Sequence, residues 1–554
     1  MSVAQVDHSS PLAPAPSASL APAASLMPTP SALLMPPPAF NNNAVSTLAT
    51  VPTAQLQSRR VMRRTNGGFL GARLAADDDA DDTADAVGAD TMLHDDEQPA
   101  TRSPSAALPD APPIALEFAL TLESRGTEAM PVRGVVTLRA PAETEAPRVP
   151  ADLVFVLDVS GSMAGDKMDM LQRTLRWLAS DACLTPDDRV AVVAFDDSAW
   201  VEMPLRFMNA QGKATLTAVA DSLRPRGGTD IAAGIKKAVE MLTARRFVNA
   251  STAVLLLSDG EDPSAKLKSE GTMRALAQVA TVRAVGLGEE HDAALLKHLA
   301  DVGRGDYAFA NEAKEVAPTV GAAVSSATTA VASRLKELSV TAHFSDGTEK
   351  VLLTKNELGT MAAAEVKHFC FTTETQPTHL EAHMEYHAPG AAVAKVVSAL
   401  KALPVGDGAP APRETLVLVE LQELREHTTA AAAEVSHILQ NTNDPNDDAG
   451  VRCRAVLEAV VQRIQASSVA AEPMAVALLA DLEWMLVSFR GGSWRAYAGG
   501  ARGGSLAAVM SVQARHTTMR ATGSLGGALY ATPSVVRTAR DAIHATMRLD
   551  DDDA

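Results

Sequence analysis

The residues best placed to do chemistry are Asp158, Ser160 and Ser162, within the stretch Leu-Val-Phe-Val-Leu-Asp-Val-Ser-Gly-Ser-Met from Leu153 to Met163. One carboxylate and two hydroxyls on a single turn offer one charged and two neutral oxygens. That donor set suits a hard divalent cation that keeps several waters and an open position. Neither cysteine nor histidine lies in the stretch, which argues against zinc. The same hydroxyls also serve ordinary turn chemistry, Ser162 as a helix N-cap, so the loop alone leaves both readings open. Ahead of Asp158, Leu153 to Leu157 is an unbroken apolar run, the pattern of a strand covered on both faces of a parallel sheet.

Two later segments extend the pattern. Gly227-Gly228-Thr229-Asp230-Ile231 opens an amphipathic helix on which Ile231, Ile235, Val239 and Leu242 share one face. Leu255-Leu256-Leu257 ends a second apolar strand on Ser258-Asp259-Gly260. In this order and spacing, the three segments resemble the metal-ion-dependent adhesion site of the von Willebrand factor A domain family. The resemblance implies Asp158, Ser160 and Ser162 as loop ligands, Thr229 as a ligand that engages when a partner is bound, and Asp259 as a ligand or water-mediated acceptor. It further implies Mg²⁺, with Mn²⁺ or Ca²⁺ as alternatives, and a protein partner whose Asp or Glu carboxylate fills the open coordination position. Asp230 stands where many members carry an uncharged polar residue. Its charge either strengthens cation binding or repels an acidic ligand.

Elements must hold these loops together. Between residues 150 and 330 apolar strands alternate with helical patterns such as Met168, Leu171, Leu175 and Leu178. This predicts an α/β domain with a doubly wound, mostly parallel sheet that binds ligands at the carboxyl ends of its strands. Period-two alternation in 111–149 (Ile114 to Leu122, Gly134 to Arg139) and again in 331–410 (Leu338 to Phe344, Phe369, Phe371, Leu380 to Tyr386) predicts a β-sandwich built from both flanks. The α/β domain would be inserted in it, and joining the distant flanks costs little extra loop entropy. Residues 411–545 read as a small helical region, with helices expected over Thr415 to Leu439, Val451 to Ala466 and Met474 to Val487.

The ends have a different composition. Residues 1–110 are rich in Ala, Pro and Ser and include an acidic run from Asp77 to Glu97, which predicts a disordered arm; 546–554 predict an acidic tail. Ser493-Trp-Arg-Ala-Tyr497 and Leu529-Tyr-Ala-Thr-Pro-Ser-Val-Val536 are similar to the end of a plant-type von Willebrand A family with a C-terminal interaction region. Some of those relatives are RING-type ubiquitin ligases. A RING needs about eight paired Cys/His ligands. Cys183, Cys370 and Cys453 cannot supply them.

The net charge of −18 argues against nucleic acid or anionic membranes as partners. No apolar run approaches the roughly 20 residues of a membrane span. Three scattered cysteines favour a reducing compartment, and no convincing secretory or transit segment opens the chain. The expected location is the cytoplasm, with the nucleus as the alternative. Gly212-Lys213 lacks the rest of a phosphate-binding loop, and neither a zinc-protease pattern nor a Gly-x-Ser-x-Gly elbow occurs. The expected function is therefore non-enzymatic: a metal-dependent protein-interaction module or adaptor. The competing reading is a structural or assembly subunit of a larger complex, ubiquitin-pathway or ATPase-associated, in which the ion only braces the loops.

Overall fold

A computed structural model describes residues 112–121, 132–180, 183–260, 262, 265–403, 411–441, 448–487, 489, 501–519 and 530–552. The arm at 1–110 and the Ser493 to Tyr497 motif lie outside them. Two antiparallel strands, β1 (Ala115–Thr121) and β2 (Val132–Arg139), come first. The α/β domain is next, and its elements alternate in chain order. They are β3 (Ala151–Asp158), α1 (Asp166–Ala179), β4 (Arg189–Phe195), β5 (Ala199–Phe207), α2 (Ala210–Ser222), α3 (Ile231–Ala244), β6 (Ser251–Ser258), α4 (Ala265–Val279), β7 (Thr281–Leu287), α5 (Ala293–Val302), β8 (Tyr307–Ala310) and α6 (Val316–Thr328).

The six strands lie in the order β5-β4-β3-β6-β7-β8. All neighbouring pairs are parallel except β4 with β5. The edge strand β5 was not apparent in the sequence pattern: Pro204 interrupts it, and its pairing with β4 is irregular there. Proline is tolerated at a sheet edge because it has no N–H to lose. From β3 the chain winds outward to β5 and then returns to β6 on the other side. The switch in winding direction therefore falls between β3 and β6, where such sheets open a ligand crevice at the strands' carboxyl ends.

Strand β3 is buried on both faces, and its pleat divides the core in two. Leu153, Phe155 and Leu157 pack with Leu171 and Leu175 of α1 and Val320 of α6. Val154 and Val156 pack with Ile235 of α3, Met273 of α4 and Leu296 of α5. This double burial is why the strand reads as a continuous apolar run.

After α6 come β9 (Ala330–His343), β10 (Glu349–Ala362), β11 (Val366–Thr373), β12 (His379–His387) and β13 (Lys395–Ala402). They complete two antiparallel sheets, β1-β2-β11 and β10-β9-β12-β13. Val136, Leu138 and Phe371 of one share a core with Leu338, Leu380 and Met384 of the other, so the α/β domain is inserted in a two-sheet unit. The helices α7 (Arg413–Asn441), α8 (Ala449–Gln465) and α9 (Pro473–Val487) bury Leu424, Val435, Leu457, Leu478 and Leu482 together.

Two more helices, α10 (Ala501–Thr518) and α11 (Pro533–Asp552), reach back to the α/β domain. Val509 and Val512 of α10 join the α7–α9 core, whereas Ala507, Met510 and Ala514 join the α3 side of the sheet. Ala542 of α11 joins the opposite side, and Gly321 of α6 lets the backbone of Thr538 approach: a Cβ there would meet the Thr538 oxygen at 3.3 Å. Helix α11 runs on to Asp552.

Candidate metal centre

Asp158 ends β3, Ser258 ends the adjacent parallel strand β6, and Leu157 pairs with Leu257 between them. The register places the Asp158 and Asp259 loops side by side at the switch point. Asp158 is fully buried. Its Oδ1 accepts a hydrogen bond from the Ser160 N–H at 2.8 Å, and its Oδ2 accepts one from the Ser258 hydroxyl at 2.5 Å. The Ser160 and Ser162 hydroxyls are 3.0 Å apart, and Ser162 donates to Asp259 Oδ1 at 2.8 Å. Ser162 is exposed while Ser160 and Asp259 are buried, so the cluster opens to solvent on one side.

The third loop closes the cluster. Gly161 N–H donates to the Gly227 carbonyl at 3.1 Å, and Gly227 adopts φ +67°, the left-handed region open to glycine. Thr229 then lies against the Asp259 loop: a Cβ on Gly260 would stand 2.7 Å from Thr229 Oγ1. Asp230 points elsewhere. Its side chain accepts from the Ala233 N–H at 2.9 Å and caps α3, and buried Asp262 accepts from the Ile231 N–H at 3.1 Å in the same helix turn. Its charge is spent on the helix dipole rather than on the cluster.

The five residues singled out in sequence thus converge on one crevice. Burial lifts the Asp158 carboxyl above its ordinary range, against the hydrogen bonds from Ser160 and Ser258, and the Asp259 charge adds to the lift. Two carboxylates confined in this way repel one another, and a cation relieves that repulsion. Among the described residues no group of three or more His, Cys, Asp or Glu gathers around an ion position. The site has two carboxylates and draws its other oxygens from hydroxyls, a donor set that fits a divalent cation.

Lys167, which the motif pattern did not single out, also belongs here. It sits in the first turn of α1 and its ammonium lies 2.5 Å from Asp259 Oδ2. A cationic side chain at a helix N-terminus works against the dipole, and that misplacement is the sequence signal that could have found it. Behind the Asp259 loop, the buried His291 ring donates from Nδ1 to the Gly288 carbonyl at 2.7 Å and accepts at Nε2 from the Tyr307 hydroxyl at 2.6 Å. The Asp292 N–H reaches the Gly260 carbonyl at 3.4 Å and ties this support to the crevice.

Fold and crevice together define a doubly wound domain with an oxygen-lined, cation-seeking site. Residues 152–321 match the von Willebrand factor type A domain family, and this chain carries such a domain. Among curated proteins, "E3 ubiquitin-protein ligase WAVH1" of Arabidopsis thaliana is 35% identical over 162 residues, covering 26% of this chain and 23% of that protein. "E3 ubiquitin-protein ligase WAV3" of the same plant is 36% identical over 121 residues, covering 22% of this chain and 16% of that protein. The chain therefore spans less than a quarter of the length of either. Among solved structures, von Willebrand factor type A from Catenulispora acidiphila shares the fold at a TM-score of 0.50 and 17% identity, covering 74% of this chain and 97% of that one.

Proposed function

We propose that this protein is a metal-dependent protein-interaction module or adaptor. Mg²⁺ is held by oxygens of Asp158, Ser160, Ser162, Thr229 and Asp259, and an Asp or Glu carboxylate of a protein partner completes its coordination. The observation that carries this reading is the convergence of three loops' oxygens on a crevice open on one side. A bound divalent ion would supply the positive charge that makes an acidic ligand attractive to a chain of net charge −18. The chain's own residues shape the crevice that such a ligand enters. Ser162 lies on the exposed side, Thr229 is held against Gly260, and the Asp158 to Ser258 bond keeps the two loops in register.

Three thiols outside any disulfide, Cys183, Cys370 and Cys453, suit a reducing, cytoplasmic setting. No described helix is long and apolar enough to cross a membrane. Ligase activity is named for the plant relatives, of whose length this chain covers less than a quarter. The competing reading, a structural or assembly subunit with the ion as a brace, draws on the fact that both Asp158 oxygens are already hydrogen-bonded, one within its own loop and one to Ser258 at the end of β6. The test is capture of partners by the full chain in Mg²⁺ and in chelator, with Thr229→Ala alongside. Partners lost in chelator and in the variant support the module. Partners retained in both, with metal acting only on stability, support the brace.

A further inference from the structure

A second polar site lies at the other end of the α/β sheet. A cavity of about 520 Å³ opens where the beginnings of β6 and β7 and the end of α4 meet β9, β10 and the turn after β12. Its volume falls in the range of small-molecule pockets. Four arginines, Arg245, Arg283, Arg304 and Arg334, line it, and Asp306 is the one acidic residue among its described lining.

These guanidiniums are not equally satisfied. Arg283, with a side chain only 7% exposed, donates from Nε to Asp306 Oδ1 at 2.6 Å, while its Nη1 is buried with no hydrogen-bond partner. Arg304 Nη2 is likewise buried and unpartnered, and its Nη1 stands 3.6 Å from Glu357, too far for a hydrogen bond. Glu357 is committed instead to Arg334, which holds it through both oxygens. Arg245 pairs with Asp152 at 2.9 Å, so three carboxylates, Asp152, Asp306 and Glu357, face the four arginines, and Arg304, at 3.6 Å from Glu357, has the weakest carboxylate contact of the four. Burial, with the Arg334 charge beside it, holds Arg304 below the usual arginine pKa. Arg304 (φ +57°) and Glu357 (φ +54°) both take left-handed backbone conformations that side chains disfavour, at the seam between the domain and the two-sheet unit.

Buried guanidinium N–H groups without acceptors are costly, and their fork geometry matches planar or tetrahedral oxyanions. We infer that this cavity binds a small, multiply charged oxyanion, a phosphate ester or a polycarboxylate, between Arg283, Arg304 and Arg334. Such a ligand would bridge the α/β domain to β9 and β10, far along the sheet from the metal centre. Its site is independent of the proposed metal function.

The test is calorimetry on the full chain in metal-free buffer of constant ionic strength, with pyrophosphate and citrate as probes. Saturable binding of either is expected, and the preferred probe assigns the phosphate or carboxylate class. Arg304→Gln and, at a more exposed position, Arg334→Gln should each weaken it by at least about tenfold, the loss of one charge-assisted contact. Asp158→Ala should bind the probe like the parent. Failure of both probes to bind, as for a cavity holding only water, overturns the proposal. So does binding that persists undiminished in both arginine variants.

Discussion

Lys167→Met should make the protein less stable without metal and tighter in binding it. The Asp259 side chain is wholly buried and the Lys167 side chain is 32% exposed, so the pair is largely withdrawn from water. Removing one partner of a buried pair costs about 3–5 kcal/mol. Asp259 keeps its hydrogen bond from Ser162, and the lysine is partly solvated, which brings the cost below that range, to about 2–3 kcal/mol. In chelator the variant should melt roughly 4–6 °C below the parent, at about 2 °C per kcal/mol for a chain of this size. An ion entering the parent has to displace the ammonium, whereas in the variant it replaces a missing charge. The same free energy should then reappear as Mg²⁺ affinity roughly 30- to 150-fold higher. Melting curves in chelator and in saturating Mg²⁺, with calorimetric titration, read both effects. Equal melting temperatures in chelator together with equal affinities would refute the idea that Lys167 shares the cation position.

Other perturbations probe the supports. Gly260→Ala places a Cβ 2.7 Å from Thr229 Oγ1, so Thr229 must shift; metal affinity should fall about tenfold and the metal-free protein should melt lower than the parent, as titration and melting curves would show. Burial pushes the His291 pKa down to about 4 from 6.5. The unfolded chain takes up that proton first, so stability is full above pH 6.5 and falls as pH drops toward 4, by about 3 kcal/mol in total. Denaturation at pH 6.5 and 5 should show this slope in the parent and a flatter one in His291→Gln. Asp481 accepts from Arg515 at 2.6 Å and bonds His516 Nε2 at 2.9 Å, all three buried. Asp481→Asn should cost about 3–5 kcal/mol and loosen α9 from α10, measurable as protease sensitivity near α10.

The α/β domain was legible because its strands are covered on both faces and read as unbroken apolar runs, with polar residues at their ends. Asp158, Ser160, Ser162, Thr229 and Asp259 were found together because each follows such a run or opens a helix. Partners that arrive from elsewhere in the chain were not legible. Lys167 meets Asp259 across 92 residues, and Ser258 meets Asp158 across 100. Strand β5 was hidden by Pro204. Strands β10 and β13 were hidden because each is largely exposed at the edge of its sheet, so no apolar alternation marks them. The return of α10 and α11 to the α/β domain rests on small residues such as Gly321, Ala507 and Ala514, which signal close approach only when the opposing helix is known.

Whether these loops form a metal centre is decided by calorimetric titration of Mg²⁺ into the full chain and into Ser162→Ala, whose exposed hydroxyl can be removed without opening the core. Saturable binding at one ion per chain, weakened at least about tenfold by the substitution, is the expected result. Absence of binding to the parent, or equal affinity in the variant, would contradict a metal centre at these loops.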